Sequence, residues 1–274
     1  MYFLTLLEKQ EKILPYFQLG LFVFLIIFVQ YKLFMIAFTI LVVFILYLAL
    51  TSIQERVFSW VMLAYFFGYL FSLYGDRLLE ELALSISTIM ILNRALMLIP
   101  ILFTIYVIKK FKGNMIQFKG KTNWDAQIYF PFISRGFHSL SVKYFLVVVI
   151  LVNLIVFSPF LVKMNFSLEL SFFSYLFLFS FINSVLEETL WRGILLTRMV
   201  ELAGEKAAVL FSGLAFGMSH LAFGYSILTC LGFSIGGFFY AGLVIRSGTI
   251  IPAIIWHFIF NILMILSGII PYIS

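Results

Sequence analysis

The sequence is poor in charge and nearly lacks cysteine. Only 11% of its 274 residues are charged, whereas soluble domains carry about 25%. So few charges cannot cover the surface of a water-soluble protein of this size, and much of that surface must face lipid. The single cysteine, Cys230, excludes an internal disulfide framework, and its apolar surroundings favour a small buried side chain.

Hydrophobic residues are abundant instead and make up 64% of the chain. In lipid every backbone polar group must be paired within the protein, so only helices or a closed barrel can span a bilayer. A barrel strand alternates apolar and polar residues over about ten positions, but the run from Leu19 to Val29 is apolar on all sides. We therefore predict an all-α fold, a polytopic transmembrane helical bundle.

Apolar stretches near the length of a spanning helix, about 20 residues, recur along the chain. The first is short, so the bundle has eight or nine helices, and no small-residue cleavage site follows it, so we expect it to be retained. One span exceeds what a bilayer requires and must project or bend, and Gly204 could cap it. The predicted spans are residues 16–30, 33–51, 56–74, 84–108, 142–162, 168–202, 206–223, 226–245 and 249–270.

A basic segment separates two apolar halves. Seven of the 18 basic residues lie in or beside it, and Asp125 is the acid they face. The positive-inside rule predicts a cytoplasmic loop with interfacial elements, and contact with anionic lipid is the alternative. We predict an N-terminal transmembrane bundle at 1–108, this loop at 109–141 and a C-terminal bundle at 142–274. The basic residues are Lys109, Lys110, Lys112, Lys119, Lys121, Arg135 and Lys143.

Ionisable and amide side chains interrupt three apolar helices of the C-terminal half. Such residues are costly within a bilayer and by default indicate a functional site. Residues four apart lie on one face of a helix. Glu188 can therefore pair with Arg192, and His257 lies beside Asn261. The interrupting residues are Glu187, Glu188 and Arg192 on the first helix, His220 on the second, and His257 and Asn261 on the third.

The helical rise places these groups at comparable depths, about 16 to 21 Å from the charged residue near the cytoplasmic end of each helix. A carboxylate, two imidazoles and an amide would then meet in a cavity within the membrane. A carboxylate and a histidine can deprotonate a water molecule, and a histidine with an amide NH₂ can stabilise an oxyanion. The set therefore suits hydrolysis, and a buried polar network that joins helices is the alternative.

Three short motifs carry a family resemblance: Glu-Glu-x-x-x-Arg at 187–192, Phe-x-x-x-His at 216–220 and His-x-x-x-Asn at 257–261. Together they resemble the CAAX prenyl endopeptidase family, which includes the bacterial CAAX protease and bacteriocin-processing (CPBP, Abi) proteins. The resemblance covers roughly residues 142–270. It implies an intramembrane endopeptidase that cleaves a peptide bond in a membrane-associated peptide or protein.

The resemblance also assigns roles. It implies that Glu187 and His220 activate the water, that His257 and Asn261 form the oxyanion hole, and that the remaining two motif residues are supporting. Those supporting residues are Glu188 and Arg192. Residues 142–274 would then be the catalytic bundle, whereas the role of the N-terminal bundle is unknown.

Several alternatives stay open at this point. We expect no cofactor, since the His-Glu-x-x-His spacing is missing, but two histidines and two glutamates could provide three zinc ligands. A non-catalytic immunity factor or scaffold would use the same residues for contacts between helices. A transporter is a third option, although the sequence shows no inverted repeat of the kind that many transporters have. Asn93 and Arg94 interrupt an apolar stretch and either line a substrate channel or pair between helices.

The expected surroundings follow from the same features. We expect a multi-pass integral protein of a bacterial cell membrane, with the lipid bilayer and a membrane-associated peptide or protein as partners and anionic lipid as a further partner at the basic loop. No nucleic-acid partner is expected.

Overall fold

The computed structural model describes residues 2–51, 53–111, 117–118, 120–131, 133, 136–162 and 169–273. Within them the chain forms ten α-helices and one β-hairpin, which confirms the predicted helical bundle. The helices are α1 (Tyr2–Gln30), α2 (Phe34–Leu50), α3 (Ile53–Glu80), α4 (Ile86–Ala95), α5 (Leu98–Lys110), α6 (Val142–Leu161), α7 (Leu170–Glu188), α8 (Leu196–Ser219), α9 (Ile227–Ser247) and α10 (Ile251–Leu266).

Two irregular helical segments lie next to the predicted motifs. A π-helical segment, Thr189–Leu195, joins α7 to α8, and a 3₁₀ turn, His220–Phe223, follows α8. The backbone of Gly204 interrupts α8 with φ 80° and ψ 168°, a conformation that favours glycine. The break predicted at this glycine is therefore present, and the long predicted span also contains the π-helical segment.

Six helical stretches among the described residues are long and apolar enough to cross a membrane, by length and composition. The shorter apolar helices α2 and α10 bring the number of apolar stretches to eight, which agrees with the predicted eight or nine. This arrangement is that of an integral, multi-pass membrane protein.

The predicted span 84–108 is divided into α4 and α5. The cause is Pro100, whose nitrogen carries no hydrogen and cannot bond the carbonyl four residues earlier. That carbonyl, on Leu96, accepts hydrogen bonds of 2.9 Å from the backbone N–H of Ile99 and 3.1 Å from the Ser72 hydroxyl instead. Gly68 faces the same proline, and a Cβ there would stand 2.5 Å from the Cα of Pro100.

The basic segment contains a hairpin that sequence reasoning missed. Strands β1 (Gln127–Pro131) and β2 (Gly136–Ser141) pair antiparallel. Arg246 at the end of α9 donates a hydrogen bond of 2.7 Å from Nε to the carbonyl of Gln127. Lys112, Lys119 and Arg135 of the predicted loop lie outside the described residues.

The chain divides into two compact units. The first comprises residues 1–66, 103–117 and 191–242. In it α1 packs along α8, and the Phe22 ring lies 5.7 Å from that of Tyr65. Helices α8 and α9 approach closely at Gly217, because a Cβ there would overlap the side chain of Ser234 and the carbonyl of Cys230.

The second unit comprises residues 67–102, 118–190 and 243–274. Helix α7 packs against α4 and α10, and α6 packs against α10. Phe172, Tyr175, Phe179 and Ile265 form its buried apolar cluster. The predicted division of the chain at residues 108 and 142 stays a prediction.

Candidate active site

The two adjacent glutamates end α7, and the π-helical segment begins at the next residue. Both carboxylates are buried: Glu187 is 6% exposed and Glu188 is fully enclosed. A buried carboxylate is costly unless it is paired, so the contacts of these two side chains define the site. A π-helical turn within an α-helix often accompanies a functional site.

Glu188 contacts a predicted catalytic residue. Its Oε1 lies 2.8 Å from Nδ1 of His257 on α10. A ring nitrogen that faces a carboxylate carries a proton, so Nδ1 donates to Glu188 and the ring orientation is fixed. The other ring nitrogen, Nε2, is thereby directed away from Glu188.

Glu187 lies on the opposite side of the same imidazole. Its Oε2 is 3.6 Å from Nε2 of His257, and its Oε1 is 3.9 Å from Nη1 of Arg94 on α4. Basic and acidic groups thus alternate from the arginine through Glu187 and His257 to Glu188, across helices α4, α7 and α10. Among the described residues, Oε2 of Glu187 accepts no hydrogen bond.

Asn261 lies one helical turn after His257 and is buried. Within the described residues its Nδ2 finds no hydrogen-bond partner. A buried amide N–H without an acceptor lowers stability by about 1 to 3 kcal/mol. A bound ligand that accepts the hydrogen bond would remove this cost. Glu187, Glu188, His257 and Asn261 all belong to the second unit.

His220 belongs to the first unit, at the end of α8. Its Nδ1 lies 2.9 Å from the carbonyl oxygen of Phe216, which requires a proton on Nδ1 and leaves Nε2 as an acceptor. The imidazole stacks on the Phe233 ring of α9, with centroids 4.5 Å apart. The close approach of α8 and α9 at Gly217 brings that ring into place. The tautomer is the one that a general base at Nε2 requires.

Arg192 is fully buried in the first unit. Its guanidinium carbon lies 4.0 Å from the ring centroid of Phe216 and 5.0 Å from that of Tyr240. These cation–π contacts hold a charge that would otherwise be costly to bury. The predicted pair between Arg192 and Glu188 stays a prediction.

No group of three or more histidine, cysteine, aspartate or glutamate side chains in the described part of the chain is arranged to hold a metal ion. Nδ1 of His257 donates to Glu188, so a metal could bind this ring only through Nε2. A zinc-dependent mechanism stays an alternative to the metal-free one, and a metal analysis decides between them.

Sequence reasoning left the role of Arg94 open, and the structure places this residue at Glu187. Its neighbour Asn93 donates a side-chain hydrogen bond to Asp76 of α3. Both residues therefore take part in contacts between helices, which was one of the two readings. The position of Arg94 inside an apolar stretch indicated that this residue has a role, but the sequence spacing did not indicate Glu187 as its partner.

Comparisons with known proteins agree with the motifs. No curated protein and no solved structure matches the chain. Residues 169–263 match the model of one family, described as type II CAAX prenyl endopeptidase, Rce1-like. The matched segment contains the three motifs and all six residues that the resemblance singled out. This part of the chain is therefore similar to the type II CAAX prenyl endopeptidases, as the motifs predicted.

Proposed function

We propose that the protein is an intramembrane endopeptidase that hydrolyses a peptide bond in a membrane-associated peptide or protein. The single observation that carries the proposal is the buried contact of Glu187 with His257, next to an Asn261 amide that donates to nothing among the described residues. A base, a positioned imidazole and an oxyanion donor are the groups that peptide hydrolysis needs.

The reaction begins at Oε2 of Glu187, which accepts a proton from a water molecule. The water oxygen forms a bond to the carbonyl carbon of the peptide, and the carbonyl π-electrons move onto its oxygen. Nδ2 of Asn261 donates to that oxyanion, beside the His257 imidazole that the resemblance also assigns to the oxyanion hole. Its collapse breaks the C–N bond, and the proton held by Glu187 passes to the leaving amine.

Two contacts support these roles. Glu188 holds Nδ1 of His257, so the ring keeps one orientation while Nε2 faces the reacting atoms. His220 is held in the tautomer with an acceptor at Nε2, which suits the role of a second base that the resemblance assigns to it.

The test compares membranes that contain the wild type with membranes that contain Glu187→Gln. Peptides released by the wild type are identified by mass spectrometry, and activity is then followed on a peptide panel. That panel consists of quenched fluorogenic peptides in proteoliposomes, half of them with a farnesylated cysteine near the C-terminus and half without. We expect the variant to lose roughly 10²- to 10⁴-fold in rate.

Glu169→Gln is the matched control, since Glu169 lies exposed before the start of the same helix. It should cleave like the wild type. Equal cleavage by wild type and Glu187→Gln would overturn the proposal and favour the immunity factor or scaffold. Cleavage of farnesylated members alone would place the substrate among prenylated tails.

A zinc-dependent form of the same hydrolysis is separated by metal removal. We expect the wild type to keep its activity after dialysis against a strong chelator, with less than stoichiometric zinc by elemental analysis. Activity that disappears with the metal and returns with added Zn²⁺ would establish the zinc mechanism instead.

A further inference from the structure

Arg94 lies outside the segment that matches the endopeptidase family, on α4 in the N-terminal half of the chain. Its Nη1 is 3.9 Å from Oε1 of Glu187, and its side chain is 15% exposed. The guanidinium carbon also stands 5.5 Å from the ring centroid of Phe179, two turns earlier on α7. The arginine therefore lies along the helix that carries the glutamate.

Helix α4 is held in place by contacts that do not involve Glu187. The amide of Asn93 donates to the carboxylate of Asp76 on α3. The hydroxyl of Ser87 donates a bond of 2.7 Å to the carbonyl of Ile273, after α10. Contacts with α3 and with the segment after α10 therefore hold α4 in place independently of the contact between Arg94 and Glu187.

The two oxygens of the Glu187 carboxylate have different surroundings. Oε1 faces the guanidinium of Arg94, whereas Oε2 faces His257 and accepts no hydrogen bond among the described residues. An arginine keeps its positive charge in proteins, and attraction between opposite charges is strong in a buried, low-dielectric setting. The guanidinium therefore attracts Oε1 and leaves Oε2 as the oxygen that receives the proton of water.

We propose that Arg94 is a positioning residue that fixes the carboxylate of Glu187 for proton abstraction, an inference that rests on the proposed function. The N-terminal half of the chain then contributes a necessary group to the reaction and is more than a membrane anchor. Arg94 acts on the reacting atoms through Glu187.

Kinetics on the peptide panel test this role with Arg94→Ala and Arg94→Lys. For Arg94→Ala we expect kcat to fall about 10- to 100-fold, with KM within about twofold of the wild type. Arg94→Lys should recover part of the loss, and millimolar guanidinium should raise kcat of Arg94→Ala but not that of Glu187→Gln. Arg77→Ala is the matched control, because Arg77 is exposed on α3 in the same unit.

Three results would overturn the role: an unchanged kcat in Arg94→Ala, a raised KM with kcat intact, or no response to guanidinium. Thermal unfolding in detergent tests the pairing independently of any cleavage. Arg94→Ala should lower the midpoint more in the wild type than in the Glu187→Gln background, and additive losses would exclude the pair. If the wild type cleaves no peptide while this coupling is present, the proposed function fails and the pairing stands.

Discussion

His257 on α10 and Glu188 on α7 are joined by a bond of 2.8 Å between Nδ1 and Oε1, although 69 residues separate them in the sequence. Both side chains are buried. The bond selects one tautomer of the imidazole and aims Nε2 towards Glu187. The second glutamate of the motif thus holds the histidine of a distant motif.

Removing the charge of Glu188 tests that relationship. In Glu188→Gln the amide oxygen can still accept from Nδ1, but the amide NH₂ can face Nδ1 as well, so the ring is no longer held in one tautomer. We expect kcat on the peptide panel to fall by up to about 10⁴-fold, with little change in KM. The exposed Glu80→Gln on α3 is the control, and equal kinetics in both variants would contradict the role.

Asn261→Ala removes the candidate oxyanion donor. Loss of one such donor costs about 10²- to 10³-fold in kcat, and KM should change little because the bond strengthens only as the oxyanion forms. Asn153→Ala is the matched control, since Asn153 on α6 also has a buried Nδ2 without a hydrogen-bond partner in the described chain. If both variants keep the wild-type kcat, Asn261 is a structural amide.

His220→Asn separates the two nitrogens of that imidazole. The asparagine amide can reproduce the bond from Nδ1 to the carbonyl of Phe216, but it has no group at the position of Nε2. We expect the variant to unfold near the wild-type midpoint and to lose most of its peptide cleavage. His138→Asn, exposed in β2, should retain cleavage. Full activity in His220→Asn would remove this histidine from the mechanism.

The close approach of α8 and α9 at Gly217 predicts that a larger residue there lowers stability. Gly217→Ala inserts a methyl group where Ser234 and the carbonyl of Cys230 already lie, and overpacking of this kind costs about 1 to 3 kcal/mol. The thermal midpoint should fall. Gly232→Ala on α9 meets nothing within 4 Å and should be neutral or stabilising, because alanine favours helices. A Gly217→Ala midpoint equal to that of Gly232→Ala would be inconsistent with this packing.

Composition and motif spacing predicted much of this arrangement. The helical bundle follows from the scarcity of charge, and the contact of Glu187 with His257 agrees with polar groups placed at comparable depth. The break at Gly204 was visible because glycine follows an unusually long apolar run. The division of α4 from α5 followed from Pro100, a signal that was present but not used.

Other features could not be read from the sequence because they depend on packing between helices. Counting four residues along an ideal α-helix paired Glu188 with Arg192 and could not show that His257 would meet Glu188. The contact of Arg94 with Glu187 joins α4 and α7, and hydrophobic periodicity does not indicate which helices are neighbours in space. The hairpin of 127–141 was missed since its strands are short and its glycines and aromatic rings are typical of a loop.

The π-helical segment Thr189–Leu195 has one more consequence. A π-turn contains an extra residue compared with an α-turn, so it shifts the angular phase of every side chain beyond it by about 100°. Deleting one residue between 189 and 195 would restore a continuous α-helix and rotate the later motif residues of that helix by the same angle. The spacing of Glu-Glu-x-x-x-Arg therefore gives the observed side-chain directions only when the π-helical segment is present.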